Sequence, residues 1–271
     1  MTIERLSVEL SQQCAKGCWF CYSESGPAGR TLLRAEDIIR LVRDAAAHGL
    51  KAVSFGGGEP LESPSLWSVL RELEGTLFRS LTTNGLPLLD PALFDELVNA
   101  RPNKVHVSIH FPNNRAEVER VTAQVHELAA RGIPSGVNFL VRRSQLVVAE
   151  EGAALVRAAG IDNRRIVYLP MRGQDTPTPK QVARVAGGPF QSMTCLSACA
   201  KSPRFCSMRW DGSVAWCSYT ETRRQLEAFS HAGLIAALNG LGLAFCGDDQ
   251  RRLPLLTGSA ASQPRPEESS G

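Results

Sequence analysis

Short runs rich in β-branched residues alternate along this chain with longer amphipathic stretches, and no other feature restricts its fold as much. A strand followed each time by a helix returns to lay the next strand beside the last, which gives a mainly parallel α/β sheet covered by helices. The segments 5–11, 51–55, 79–83, 104–110, 135–141 and 165–169 read as strands. Those at 34–48, 65–74, 91–99, 114–131, 145–159 and 179–185 read as helices. Gly49, Gly132 and Gly160 stand where helices should stop, and Pro91 where one should open.

Composition narrows the class. With 271 residues, 43% hydrophobic and 21% charged, the chain can bury one sizeable core, so disorder is excluded as its main state. Lys and Arg number 30 against 27 Asp and Glu, a net charge of +3, and no long like-charged run invites nucleic acid. The opening MTIERLSVEL has an early Glu4 and no apolar core, unlike a secretory leader. The longest nearly apolar stretch, 233–246, is interrupted by Asn239 and falls short of the ~18 residues a membrane span needs. A cytoplasmic protein is expected, and its eight cysteines then point to metal or redox chemistry rather than disulfides.

Three of those cysteines, Cys14, Cys18 and Cys21, lie in the loop after the first strand, in SQQCAKGCWFCYSE. Their spacing allows three thiolates to converge on one metal centre, with one coordination position left open for chemistry. A structural zinc site with a fourth ligand from elsewhere, or three core cysteines, would also suit the spacing alone. The second strand ends in SFGGGEP. Its glycines permit a tight turn and close backbone approach to a ligand, and Glu59 offers an acceptor for an ammonium group.

Together these motifs resemble the radical S-adenosylmethionine (SAM) superfamily over roughly residues 5–170. The resemblance implies a partial (β/α)6 TIM-like barrel over residues 1–186, with the loops after its strands forming the catalytic mouth. It implies that Cys14, Cys18 and Cys21 hold a 4Fe-4S cluster, beside the aromatic Phe20, whose free iron is chelated by S-adenosyl-L-methionine. Gly57, Gly58 and Glu59 match the stretch that receives the methionine amino group. Thr83 and Asn84 end the third strand, Ser108 the fourth, and Arg120 lies on the following helix; the resemblance gives the latter two ribose or carboxylate contacts. Asn138 and the segment 168–171 are further candidates for the adenosine or substrate pocket.

From Gly187 the pattern changes, and a smaller cysteine-rich module is expected over 187–256, followed by a disordered tail at 257–271. The module carries Cys195, Cys199, Cys206, Cys217 and Cys246, and FCSMRWDGSVAWCSY reads as a hairpin turning at Asp211 and Gly212. This resembles the twitch or SPASM extensions that bind an auxiliary iron–sulfur cluster. Cys199, Cys217 and Cys246 with either Cys195 or Cys206 are the expected ligands; a zinc knuckle is the alternative.

The expected function is reductive cleavage of SAM to a 5′-deoxyadenosyl radical, which abstracts hydrogen from a peptide of ribosomal origin or a secondary metabolite, with net oxidation. An electron donor such as a flavodoxin or ferredoxin is implied. A glycyl-radical-enzyme activase and a zinc-stabilised scaffold without turnover are the competing readings. His48, His106, His126 and His231 read as packing or surface residues, whereas His110 would face the pocket. Trp210 and Trp216 read as module core, and Trp19 as a shield over the iron.

Overall fold

In the computed structural model, which describes residues 2–193 and 202–243, the six expected strands are β1 (Arg5–Glu9), β2 (Ala52–Gly56), β3 (Phe78–Thr83), β4 (Lys104–Ile109), β5 (Ser135–Val141) and β6 (Ile166–Pro170). The helices between them are α1 (Ala35–Ala47), α2 (Ser65–Glu72), α3 (Pro91–Ala100), α4 (Arg115–Ala130) and α5 (Leu146–Ala158), and α6 (Pro179–Ala186) follows β6. Local chemistry sets the boundaries. Asp90 accepts from the Ala92 amide ahead of Pro91, and Thr178 with Gln181 forms a capping box at α6. Gly49, Gly132 and Gly160 follow α1, α4 and α5 with φ of 102°, 83° and 88°, a region glycine enters without strain.

Strands β1 to β6 pair in parallel and in sequence order, the arrangement expected of the partial barrel. Alternation in the pleat divides the sheet. Leu6, Val8, Val53, Phe55, Leu81, Val105, Val107, Val137 and Phe139 occupy one face and join a continuous apolar core with helix residues such as Ile38, Leu41, Val121 and Val125. The opposite, inner face carries Ser7, Ser54, Ser80, His106, Ser108 and Asn138, each opposite a neighbour of the same face in register. Tyr168 belongs to the helix-covered face: it is fully buried there, and its hydroxyl donates to Asn163 Oδ1 at 2.9 Å. It therefore does not line the interior as expected.

The segment after Gly187 extends the same sheet. Strand β7 (Gln191–Ser192) pairs with β6, and β8 (Phe205–Met208) pairs in parallel with β1 on the other side. The expected hairpin forms from β8 and β9 (Ser213–Ala215), with Gly212 at φ 83° in its turn, and β10 (Arg224–Gln225) pairs with β9. The order β10-β9-β8-β1-β2-β3-β4-β5-β6-β7 leaves the two edge strands unpaired with each other, so the barrel is open. Helix α7 (His231–Leu238), capped by Ser230, shows in the sequence only as an apolar stretch. Cys195, Cys199, Cys246 and the expected tail lie outside the described residues. No helix among the described residues is long and apolar enough to cross a membrane.

Candidate active site at the open barrel mouth

The loop after β1 folds onto itself before it reaches the barrel mouth. The Gly26 amide donates to Gln12 O at 3.1 Å, the Cys14 amide to Gly26 O at 3.0 Å, and the Cys21 amide to Cys18 O at 3.0 Å. The loop is then clamped to the neighbouring strand ends. Lys16 Nζ lies 3.0 Å from Glu117 Oε2 with both side chains largely buried. Glu117 Oε1 also accepts the backbone amides of His110, at 2.6 Å, and Phe111, at 3.3 Å. The cysteine loop, the end of β4 and the first turn of α4 thus share one carboxylate.

Each cysteine meets a different neighbour. Cys14 Sγ lies 3.8 Å from Asn84 Nδ2, Cys18 Sγ 3.9 Å from His110 Nδ1, and Cys21 Sγ 3.3 Å from Ser23 Oγ. Asn84 and His110 follow β3 and β4, so the cysteines lie at the C-terminal mouth of the barrel. Burial pushes the Cys14 thiol up and the Cys18 thiol up to about 11; Lys16 opposes the latter, and Cys21 and Cys14 add to it. Phe20 packs edge-on against His110 and Phe111. Trp19 departs from expectation: it is 65% exposed, with the Arg142 guanidinium 4.9 Å above its ring.

The glycine strip lies directly on this loop. Gly58 donates to Ser11 O at 2.6 Å and Glu59 to Gln13 O at 2.8 Å. A Cβ on Gly57 would come within 2.7 Å of Ser11 O, and one on Gly58 would collide with the Gln13 carbonyl. Only glycine allows so close a backbone approach.

Glu59 is buried, but its carboxylate serves the chain itself. Oε1 accepts from Thr83 Oγ1 at 2.7 Å and Leu61 N at 3.1 Å, and Oε2 accepts from Asn84 N at 2.7 Å. Burial lifts this carboxyl to about 7, against the pull of those hydrogen bonds. The carboxylate thereby ties the glycine strip to the Thr83–Gly85 turn.

Thr83 Oγ1 in turn accepts from Gly85 N at 2.9 Å. Arg120 reaches the same turn, with Nη1 2.9 Å from Gln124 Oε1, while Gln124 Nε2 donates to Gly85 O at 2.7 Å. Ser108 and Asn138 face each other across β4 and β5, and Asn138 Nδ2 lies 3.4 Å from Thr82 Oγ1.

Beyond β1 the C-terminal strands approach the same loop. The rings of Tyr22 and Tyr219 are 4.8 Å apart, and Cys217 Sγ accepts from Tyr219 N at 3.4 Å. Cys206 differs from Cys217. It pairs with Leu6 on the helix-covered face, fully buried in the apolar core, where burial drives its thiol far up. That position sets it apart from the ligand role expected of it. Lys16, Glu117 and Tyr219 are absent from the residues that the sequence singles out; only Glu117 leaves a signal there, as the residue three positions after the helix-capping Asn114.

An open parallel barrel with a three-cysteine loop at its mouth defines a class of metalloenzyme, and comparison with known proteins gives the family. The chain belongs to the radical SAM superfamily, whose model matches residues 8–184. A probable GTP 3′,8-cyclase of Sulfurisphaera tokodaii is 25% identical over 62% of this chain and 56% of its own length. The one from Pyrococcus abyssi is 32% identical over 40% and 35%. Molybdenum cofactor biosynthesis protein 1 of Bos taurus is 28% identical over 66% of this chain and 30% of its own length. The chain thus spans little more than half, and in places about a third, of these relatives.

Among solved structures, Streptococcus suis SuiB bound to S-adenosylmethionine superposes with a TM-score of 0.70 at 15% identity. That match covers 89% of this chain and 67% of SuiB. Native anSMEcpe with bound AdoMet gives 0.61 at 16% identity over 86% and 80%. These two likenesses establish the fold. Membership in the family implies a 4Fe-4S cluster and SAM as cofactors.

Proposed function

We propose that this protein is a radical SAM enzyme that takes hydrogen from a carbon of a peptide or small-molecule substrate inside the open barrel. The observation that carries the reading is the convergence of the cysteine loop, the glycine strip and the Thr83–Gly85 turn at one mouth, through Glu59, Asn84 and Glu117. When bound, the cluster supplies one electron that splits SAM into methionine and a 5′-deoxyadenosyl radical able to abstract hydrogen from an unactivated carbon.

Cys14, Cys18 and Cys21 would hold that cluster. Among the described residues no three His, Cys, Asp or Glu side chains close on a point where one metal ion could sit. Gly57 and Gly58, with Glu59, would receive the methionine end of SAM, and Thr83, Asn84, Ser108, Arg120 and Asn138 would supply polar atoms around the rest. Phe20, packed on His110 and Phe111, would help exclude water from a cluster held by the loop.

Cys217, beside the Tyr22–Tyr219 contact, would be one ligand of an auxiliary cluster, with Cys195, Cys199 and Cys246 as the other candidates and Cys206 left in the core. An auxiliary cluster held there would suit a reaction with net oxidation. The solved structure of SuiB bound to its precursor peptide SuiA supports a peptide substrate, whereas the relatives named GTP 3′,8-cyclases support a nucleotide. Anaerobic reconstitution with iron, sulfide and a reductant, followed by incubation with SAM, tests the assignment. We expect 5′-deoxyadenosine from the wild type; its complete absence overturns the reading. Adding GTP or a peptide then separates the substrates by which one raises its yield.

A further inference from the structure

Glu9, the last residue of β1, is a buried charge that none of the roles above uses. It shares the inner face with Ser7 and Ser54, is 2% exposed, and neither of its carboxylate oxygens has a hydrogen-bond partner among the described residues. Its position is fixed by close packing, since a Cβ on Gly57 would lie 2.8 Å from the Glu9 Cβ. A buried carboxylate without donors is costly, and native interiors rarely retain one unless something else completes it.

The opposing charges are near but do not complete it. Arg223 is committed to the C-terminal strands, donating from Nε to Ser213 Oγ at 3.0 Å and from Nη2 to Ser213 O at 2.9 Å. Arg209, just after β8, reaches toward Glu221 with Nη2 at 3.8 Å, while its Nε is buried without a partner among the described residues. Burial lifts the Glu9 carboxyl to about 7; Arg209 and Arg223 oppose the rise and Asp211 adds to it. Tyr22, beside Cys21, also feels the Glu9 charge. An orphan acceptor and an orphan donor therefore lie near one another inside the barrel, between β1 and the strands that extend its edge.

We propose that Glu9 and Arg209 anchor the substrate by a group that sets N–H donors beside a carbonyl or carboxylate oxygen. An amide edge or an amino-acid head has this pattern, with its N–H groups on Glu9 and its oxygen on the Arg209 Nε. The claim deepens the proposed function and rests on it only in calling the ligand a substrate. A peptide end and the amide edge of a guanine base share this chemistry, so both serve as probes.

The test uses the reconstituted full-length protein with SAM, titrated calorimetrically with GTP in one arm and with trialanine amide in the other. Infrared difference spectra follow the carboxyl and carboxylate bands. We expect saturable binding in at least one arm, a perturbed Glu9 carboxyl band that Glu9→Gln removes, and binding weakened about tenfold or more by that substitution, as loss of a charged hydrogen bond should do. Arg209→Lys should weaken the same arm, and melting curves verify that both variants fold.

Absence of binding in both arms up to millimolar concentration overturns the proposal, and so does equal binding by wild type and Glu9→Gln, the result if only water completes the carboxylate. 5′-Deoxyadenosine is measured in the same samples. Glu9-dependent binding without any 5′-deoxyadenosine keeps the site and rejects the SAM reading; the reverse pattern rejects the site alone.

Discussion

Two carboxylates near the barrel mouth behave differently because one is answered by its surroundings and the other is not. Glu117 faces Lys16 at 3.0 Å with both side chains largely buried. Removing one member of a buried pair strands the other, at a cost of about 3–5 kcal/mol. Lys16→Met should therefore lower the melting temperature clearly and reduce the iron retained after reconstitution; unchanged iron content would show that the clamp does not hold the cysteine loop. Glu9 has no answering donor among the described residues, and its carboxyl is lifted to about 7. The folded state then holds a proton that the unfolded chain releases near the ordinary carboxylate value, so Glu9 erodes stability as pH rises from about 4.5 to about 7. Glu9→Gln should be more stable than wild type at pH 8, by on the order of 3 kcal/mol at 1.36 kcal/mol per pH unit. That advantage should vanish toward pH 5, as urea melts at several pH values would show. The Lys16–Glu117 pair was not legible in the sequence, because 101 positions separate its members. Glu9 was illegible for a different reason: between Val8 and Leu10 it reads as the outer residue of a strand, whereas in a barrel that face is the interior.

Strands and helices are far more legible, because each is set by its own neighbourhood. The periodicity of α4 and the alternation in β5 give both within one residue of their ends, and the turn at Gly212 was visible in its own dipeptide. What local pattern could not supply was that β8 joins β1, since pairing between distant segments depends on which sheet edge lies free. That pairing decides the fate of two cysteines. Cys206 sits in the core opposite Leu6, so Cys206→Ala should cost roughly 1 kcal/mol for the lost packing and leave the iron count unchanged. Cys217→Ala should lower the iron count while the barrel still melts cooperatively. Equal iron loss in the two variants would contradict this division. Gly58→Ala tests the contact between strip and loop: its Cβ would run into the Gln13 carbonyl, so SAM-dependent 5′-deoxyadenosine formation should fall at least tenfold. Full activity in that variant would contradict the close approach described.

Taken as one body, the described residues form an open barrel whose edge is extended beside β1 by the C-terminal hairpin, with the Tyr22 ring of the cysteine loop 4.8 Å from Tyr219. The motif residues were legible because cluster chemistry constrains their spacing along the chain. The residues that hold the loop in place were not, since only folding brings them together. Everything proposed for the barrel mouth depends on Cys14, Cys18 and Cys21 binding the cluster at which SAM is cleaved. Iron and sulfide analysis, with 5′-deoxyadenosine measured alongside, on the wild type and a variant with all three changed to alanine tests it most directly. The variant should lose one cluster's iron and all 5′-deoxyadenosine while keeping whatever iron the C-terminal cysteines hold. A variant that still cleaves SAM would contradict it.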